Sequence, residues 1–273
     1  SQTHVSGTGG PSKYGNFLIT PEVGPLQVPS PGFTGTDELA SPGYYSVKLA
    51  ESGVRAELTA TRMVALHRYT FPKSPEARLL FDVSSVIRLG KPKDSIQQPI
   101  DASFRWISPT ELDGSVYVVG GWNPEPYTLH FYAKLDRAPT SRGAWSGVGA
   151  ERIEAQATEM HGHHVGAILN FNTAQDAAGP TSIQIAVAVS FVSRARAKEH
   201  LRSELGAAPT QLEFEPVRAK AQALWQRALS KVAIEGALPD QKKIFYTALY
   251  HAQVMPHDLT GDNAWWESNE PHY

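Results

Sequence analysis

The chain has 273 residues, of which 41% are hydrophobic and 19% charged, so it can bury a sizeable core as one large or two smaller domains. Its 25 basic residues stand against 27 acidic ones, for a formal charge of -2, and that balance argues against nucleic acid or an anionic membrane surface as a partner. The absence of cysteine excludes disulfides, thiol catalysis and cysteine-ligated zinc. No apolar run is long enough to span a bilayer, and no signal-peptide pattern is present, so any export signal would have been removed before Ser1.

The opening stretch, Ser1 to Asn16, contains Gly7, Gly9, Gly10, Gly15 and Pro11. Glycine loses the most backbone entropy on ordering and proline donates no ladder hydrogen bond, so this stretch is a loop. Its small residues free backbone amides, and His4, Ser6 and Thr8 add polar groups that can line a pocket. The bland alternative, a disordered tail, sits poorly with the apolar run Phe17, Leu18 and Ile19 that follows at once.

Period-two alternation then dominates. It places Tyr45, Val47 and Leu49 on one face of a strand, then Leu79, Phe81 and Val83, and then the run Val116 to Val119. Further on come Leu129 to Leu135, Val165 to Phe171, and Ile183 to Phe191. Turn signals lie between them at Glu51–Gly53, Asp113–Gly114, Gly120–Gly121 and Gly179–Pro180. Many alternating strands with short turns and no interleaved helices predict an antiparallel β-sandwich with one buried face per strand.

After Phe191 the period changes. Ser193 can cap a helix carrying Ala197, Leu201 and Leu205, with Gly206 as its stop. A second stripe runs through Val217, Ala221, Leu224, Trp225, Ala228 and Val232. Pro239 suits the first turn of a third helix bearing Ile244, Phe245, Ala248, Leu249 and Ala252. The expected layout is a sandwich over 1–192, a helical linker over 193–237, and the start of a helical domain over 238–273.

Four ordered motifs carry a resemblance. They are Thr3 to Gly10 with Tyr14 to Phe17; Pro42 to Val47; Ala56 to Arg62 with His67 to Pro72; and Phe245 to Ala252. Together they resemble the amino-terminal domain and first catalytic helix of glycoside hydrolase family 92, the calcium-dependent exo-α-mannosidases. The resemblance implies a β-sandwich joined by linker helices to an (α/α)6 barrel, of which this chain would hold only the beginning. It implies an inverting enzyme releasing terminal mannose from N-glycans or related mannosides. The partner would then be a mannose-containing glycan, with no nucleic acid and no membrane span, and the location secreted, periplasmic or cell-surface. The family's acid, base and Ca2+ ligands follow the point where this chain stops, so they are expected outside it, and the fragment alone is expected to be inactive. The alternative reading is a non-catalytic carbohydrate-binding or structural sandwich.

Candidate chemistry inside the chain is sparse. In His161, Gly162, His163 and His164 only His161 and His163 could share a strand face, and without a third ligand they read as surface or hydrogen-bonded residues. His67 and His130 read as hydrogen-bonded residues of strands, and Tyr44, Tyr45 and the run Tyr69 to Phe71 as sandwich packing. After Pro256, Trp265 and Trp266 stand outside any apolar stripe among Asp258, Asp262, Asn263, Glu267, Asn269 and Glu270. Indoles stack on sugar faces while carboxylates and amides bind hydroxyls. His4, Ser6, Thr8, Trp265, Trp266 and Glu267 are therefore the expected substrate-binding residues, two walls of one pocket.

Overall fold

A computed structural model describes residues 1–3, 14–28, 30, 32–87, 97–121, 125–176, 179–206, 211–254 and 262. In chain order the strands are β1 (Leu18–Val23), β2 (Gly35–Ser41), β3 (Tyr44–Leu49), β4 (Arg55–Ala60), β5 (Val64–Phe71), β6 (Ala77–Asp82) and β7 (Gln98–Trp106). They continue with β8 (Glu111–Val119), β9 (Tyr127–Leu135), β10 (Ser141–Ser146), β11 (Arg152–Ala155), β12 (Glu159–Gly162), β13 (Val165–Phe171) and β14 (Thr181–Ser190). Three helices follow, α1 (Arg194–Leu205), α2 (Phe214–Leu229) and α3 (Pro239–Ala252). The strands pair antiparallel into a five-stranded sheet, β1-β6-β13-β10-β11, and a nine-stranded sheet, β12-β7-β8-β9-β14-β5-β4-β3-β2. The predicted sandwich is thus observed, and the change from strand to helix falls between Ser190 and Arg194.

Alternate residues of the two sheets meet in one core, where Phe17, Phe81 and Phe131 pack with ring centroids 4.7–6.3 Å apart. The expectation of one buried face per strand fails for the central strands of the larger sheet. Tyr69 and Phe71 of β5 and Ile183, Ile185 and Val187 of β14 enter the sandwich core. Val64, Leu66, Ala186 and Ala188 on the opposite face are buried as well, against Ala197 and Leu201 of α1 and Phe214 of α2. The small side chains at 186 and 188 let α1 lie close to the sheet.

Asp113–Gly114 is not a turn. Gly114 pairs with Phe104 on one side and Phe131 on the other, inside β8. A Cβ there would stand 2.2 Å from the Ser103 carbonyl oxygen and 2.4 Å from the Phe131 ring, so the glycine serves a close approach within the sheet. The chain instead turns through 107–110, between β7 and β8.

The helices begin and end for local reasons. The Ser193 side chain accepts from the Arg196 amide at 3.0 Å, and Gly206 ends α1 at φ 105°. Pro239 opens α3 as expected, whereas α2 stops at Leu229, short of Val232. Trp225 and Tyr250 join α2 to α3 with ring centroids 4.7 Å apart, and no described helix is long and apolar enough to cross a membrane.

Candidate functional site

His4, Ser6, Thr8, Trp265, Trp266 and Glu267 lie outside the described residues. The structure does describe the roots of the segments that carry them, which meet at the end of β14.

Backbone hydrogen bonds join the two described segments that flank the glycine-rich stretch, 1–3 and 14–16. The Gln2 amide donates to the Asn16 carbonyl and the Gly15 amide to the Thr3 carbonyl, each at 2.8 Å. Gly15, at φ 85°, presses so close to Ile87 that a Cβ would stand 2.7 Å from its amide nitrogen. Buried Gln97 reads the backbone of Tyr14 from both sides: its carbonyl accepts from the Tyr14 amide at 2.8 Å, and its amide donates to the Tyr14 carbonyl at 3.0 Å. The Tyr127 hydroxyl donates to Gln97 Oε1 at 3.0 Å and to Asn16 Oδ1 at 3.2 Å. Burial pushes the Tyr127 phenol well up from its ordinary range, so it stays protonated and able to donate.

Above this polar base lies an aromatic cluster. The Tyr14 and Tyr127 rings meet edge-on at 5.6 Å, and Phe191 packs on both at 6.1 Å. Of residues 255–273, Asp262 alone is described. It is 2% exposed, and its carboxylate is fully engaged with the same junction. Oδ1 accepts from Ser190 Oγ at 2.6 Å and Oδ2 from the Phe191 amide at 2.8 Å. His200 places Nε2 3.7 Å from Oδ1 while its Nδ1 meets the Val189 carbonyl at 2.9 Å. Asp262 is one of the charged residues that stand around Trp265 and Trp266 in the sequence, and both of its carboxylate oxygens are taken up by Ser190 and Phe191.

A second polar group lies on the same sheet. Arg194 donates to Ser103 Oγ at 2.6 Å, Ser115 Oγ at 3.0 Å and Asp113 Oδ1 at 3.3 Å. His130 faces this group with Nδ1 buried and without a hydrogen-bond partner, contrary to the sequence reading. Across the ladder Ser115 and Ser190 stand opposite His130; the Ser190 hydroxyl donates to Asp262, while Ser115 Oγ accepts from Arg194. Burial, and secondarily the Arg194 charge, lower the His130 pKa and favour the neutral ring. His67, by contrast, is hydrogen-bonded as expected, with Nδ1 2.7 Å from the Tyr69 hydroxyl.

His161 and His163 are both exposed, and β12 ends between them at Gly162. His161 Nε2 lies 2.7 Å from Asp101 Oδ1. Among the described residues no three His, Asp or Glu side chains are grouped so that they could hold a metal ion. Gln97 and Ser190 were not foreseen. A lone polar residue gives no periodic signal, and Ser190 differs from its neighbours only in closing an apolar strand.

Comparison with known proteins agrees with this architecture. Residues 1–190 match the Glycosyl hydrolase family 92 N-terminal domain, and residues 196–273 match the Glycosyl hydrolase family 92 catalytic domain. An "Uncharacterized secreted glycosidase" of Arthroderma benhamiae is 26% identical over 298 residues, covering 100% of this chain and 37% of that protein. The family GH92 alpha-mannosidase BT3965 from Bacteroides thetaiotaomicron is 28% identical, with TM-score 0.76, over 92% of this chain and 33% of that one. The GH92 inverting mannosidase BT2199 from the same organism shares the fold at 22% identity, with TM-score 0.75, over 94% of this chain and 32% of that one. The chain therefore spans about a third of the length of these relatives.

Proposed function

The chain belongs to glycosyl hydrolase family 92, and from that premise we propose that the protein it represents is an inverting exo-α-mannosidase releasing terminal mannose from N-glycans or related mannosides. The observation that carries this reading is the meeting of two segment roots, Tyr14 and Asp262, at Phe191 between sandwich and helices. Ligand sites commonly form where two structural units meet. In this reading His4, Ser6 and Thr8 from one segment and Trp265, Trp266 and Glu267 from the other bind the sugar. BT3965 has also been solved in complex with mannoimidazole, which supports a mannoside as substrate class.

Inversion needs a carboxylic acid for the leaving oxygen and a carboxylate to activate water, roughly 6.5 to 9.5 Å apart. Both are proposed to lie in the catalytic domain outside this chain, along with the Ca2+ ligands. The chain's own contribution is to bind and orient the sugar. In the proposed division, 1–192 is the sandwich, 193–237 the linker and 238–273 the start of the barrel. A secreted, periplasmic or cell-surface location follows from the same reading, supported by the secreted relative.

The test is turnover of an aryl α-mannoside. The whole protein should hydrolyse it with inversion and the isolated 273-residue chain should not, since acid and base would both be missing. Chelator-sensitive turnover by the isolated chain would place the chemistry within these residues. An intact native mass near 29.8 kDa would leave a non-catalytic sugar-binding sandwich instead.

A further inference from the structure

Asp262 is a carboxylate with 2% exposure, placed where an apolar side chain would face no desolvation penalty. Its two oxygens instead accept the Ser190 hydroxyl at 2.6 Å and the Phe191 amide at 2.8 Å. Ser190 Oγ in turn accepts from the amides of Val192 at 3.0 Å and Ser193 at 3.3 Å, and Ser193 caps α1. The carboxylate thus sits at the head of the hydrogen bonds that shape the turn from sheet to helix. Phe191, held by that turn, lays its ring on Tyr14 at 6.1 Å, and the Tyr14 backbone is pinned by Gln97 and by the Ile87 amide.

We propose that Asp262 is a positioning residue: by fixing Ser190 and Phe191 it sets the root of the opening loop and the root of the Trp265–Trp266 segment in register with each other. This rests on the mannosidase reading for its consequence in catalysis, and on geometry alone for the coupling itself. Directional charge-assisted bonds suit that task, since an apolar contact would hold the distance without fixing the orientation.

The experiment uses the whole protein with Asp262→Ala, Asp262→Asn and Ser190→Ala. A merely structural role lowers the active fraction, hence the apparent kcat, and leaves KM unchanged. The positioning role raises KM for an aryl α-mannoside about tenfold in Asp262→Ala, as expected for losing a hydrogen bond to a charged group. Asp262→Asn, which keeps an oxygen for the Phe191 amide, should recover part of that loss. A wild-type KM in folded Asp262→Ala overturns the proposal; should that variant not fold, a wild-type KM in Ser190→Ala does so. Hydrogen exchange gives a readout independent of substrate: the amides of Tyr14 to Phe17 should exchange faster in the variants, and unchanged exchange there overturns the coupling. If the wild-type protein turns over no mannoside, the mannosidase reading falls, and the exchange result decides the coupling alone.

Discussion

Gly43 lies directly against Ala221, so that a Cβ at position 43 would stand 3.0 Å from the Ala221 carbonyl carbon and 3.1 Å from its side chain. Gly43 turns the β2–β3 hairpin at φ 81°, a conformation costly for any residue with a Cβ. Gly43→Ala should therefore destabilise the protein by about 1–3 kcal/mol, through backbone strain and displacement of α2. Urea unfolding gives the value, and an unchanged midpoint would refute this packing account.

The residues around Gly43 form a clasp for α2. Arg218 lies 3.7 Å over the Tyr44 ring and Arg68 lies 4.3 Å over Phe214. Arg68 bridges Glu57 and Glu215, each at 2.7 Å, and the Tyr44 hydroxyl donates to Glu57 at 2.8 Å. The Arg68 hydrogen bonds hold the Glu57 carboxyl below its ordinary range, outweighing desolvation, with help from Tyr44. A depressed carboxyl pKa contributes stability that is complete above the unfolded value, near 4.5, and is lost as pH falls through the folded value. Glu57→Gln should cost about 1.5–3 kcal/mol at neutral pH, by loss of hydrogen bonds to a charged group, and should flatten the loss of stability in acid. Parallel acid titrations of stability for both proteins would expose a slope that survives the substitution.

His67 predicts a second limb, at higher pH. Burial lowers its pKa from 6.5 to about 3. Between those values the unfolded chain binds a proton that the folded chain refuses, so stability falls as pH drops below about 6.5. His67→Gln removes that proton uptake. Its urea midpoint should differ less between about pH 7.5, above the window, and about pH 4.5, inside it, than the wild-type midpoint does, whatever the overall loss from disturbing Tyr69. Equal shifts in both proteins would show that His67 does not titrate in the way its burial demands.

Much of this fold was legible because alternation survives wherever a strand faces the sandwich core. Ile183, Ile185 and Val187 announce β14, and Ser193 and Gly206 announce both ends of α1. What period two does not reveal is a partner on the second face: Ala186 and Ala188 read as neutral residues, yet they form the floor for α1. Strand β2 is exposed at every residue, so it carries no apolar signal at all. Gly114 read as a turn because composition does not distinguish a residue that bends the chain from one that lets Phe131 approach. At the candidate site, the family motif pointed to the opening loop, but the groups that fix its root, Gln97 and Tyr127, are distant in sequence and related only by the fold. Asp262 stood out in the sequence only as one of the charged residues around Trp265 and Trp266, because sequence shows neither its burial nor the Phe191 amide that occupies it.

The last prediction concerns the expected sugar-binding residues themselves. His4 follows Thr3 directly, and the described hydrogen bonds that fix this root are made by Thr3, Tyr14, Asn16, Gln97 and Tyr127. Trp265 belongs to the segment that Asp262 anchors at Phe191, and the bonds of that anchor are made by the carboxylate with the Ser190 hydroxyl and the Phe191 amide. His4→Ala and Trp265→Ala should therefore weaken substrate use by the whole protein while leaving the melting temperature nearly unchanged. Loss of one polar contact or one stacked ring corresponds to about a tenfold drop in kcat/KM for each. Because the two roots share Phe191, the double variant should fall short of the product of the single losses, as happens when two groups hold the same sugar. A melting temperature that drops in step with activity would instead make these side chains part of the packing. Wild-type kinetics in both variants would remove the shared pocket from the proposal, leaving family membership to support a site elsewhere in the protein.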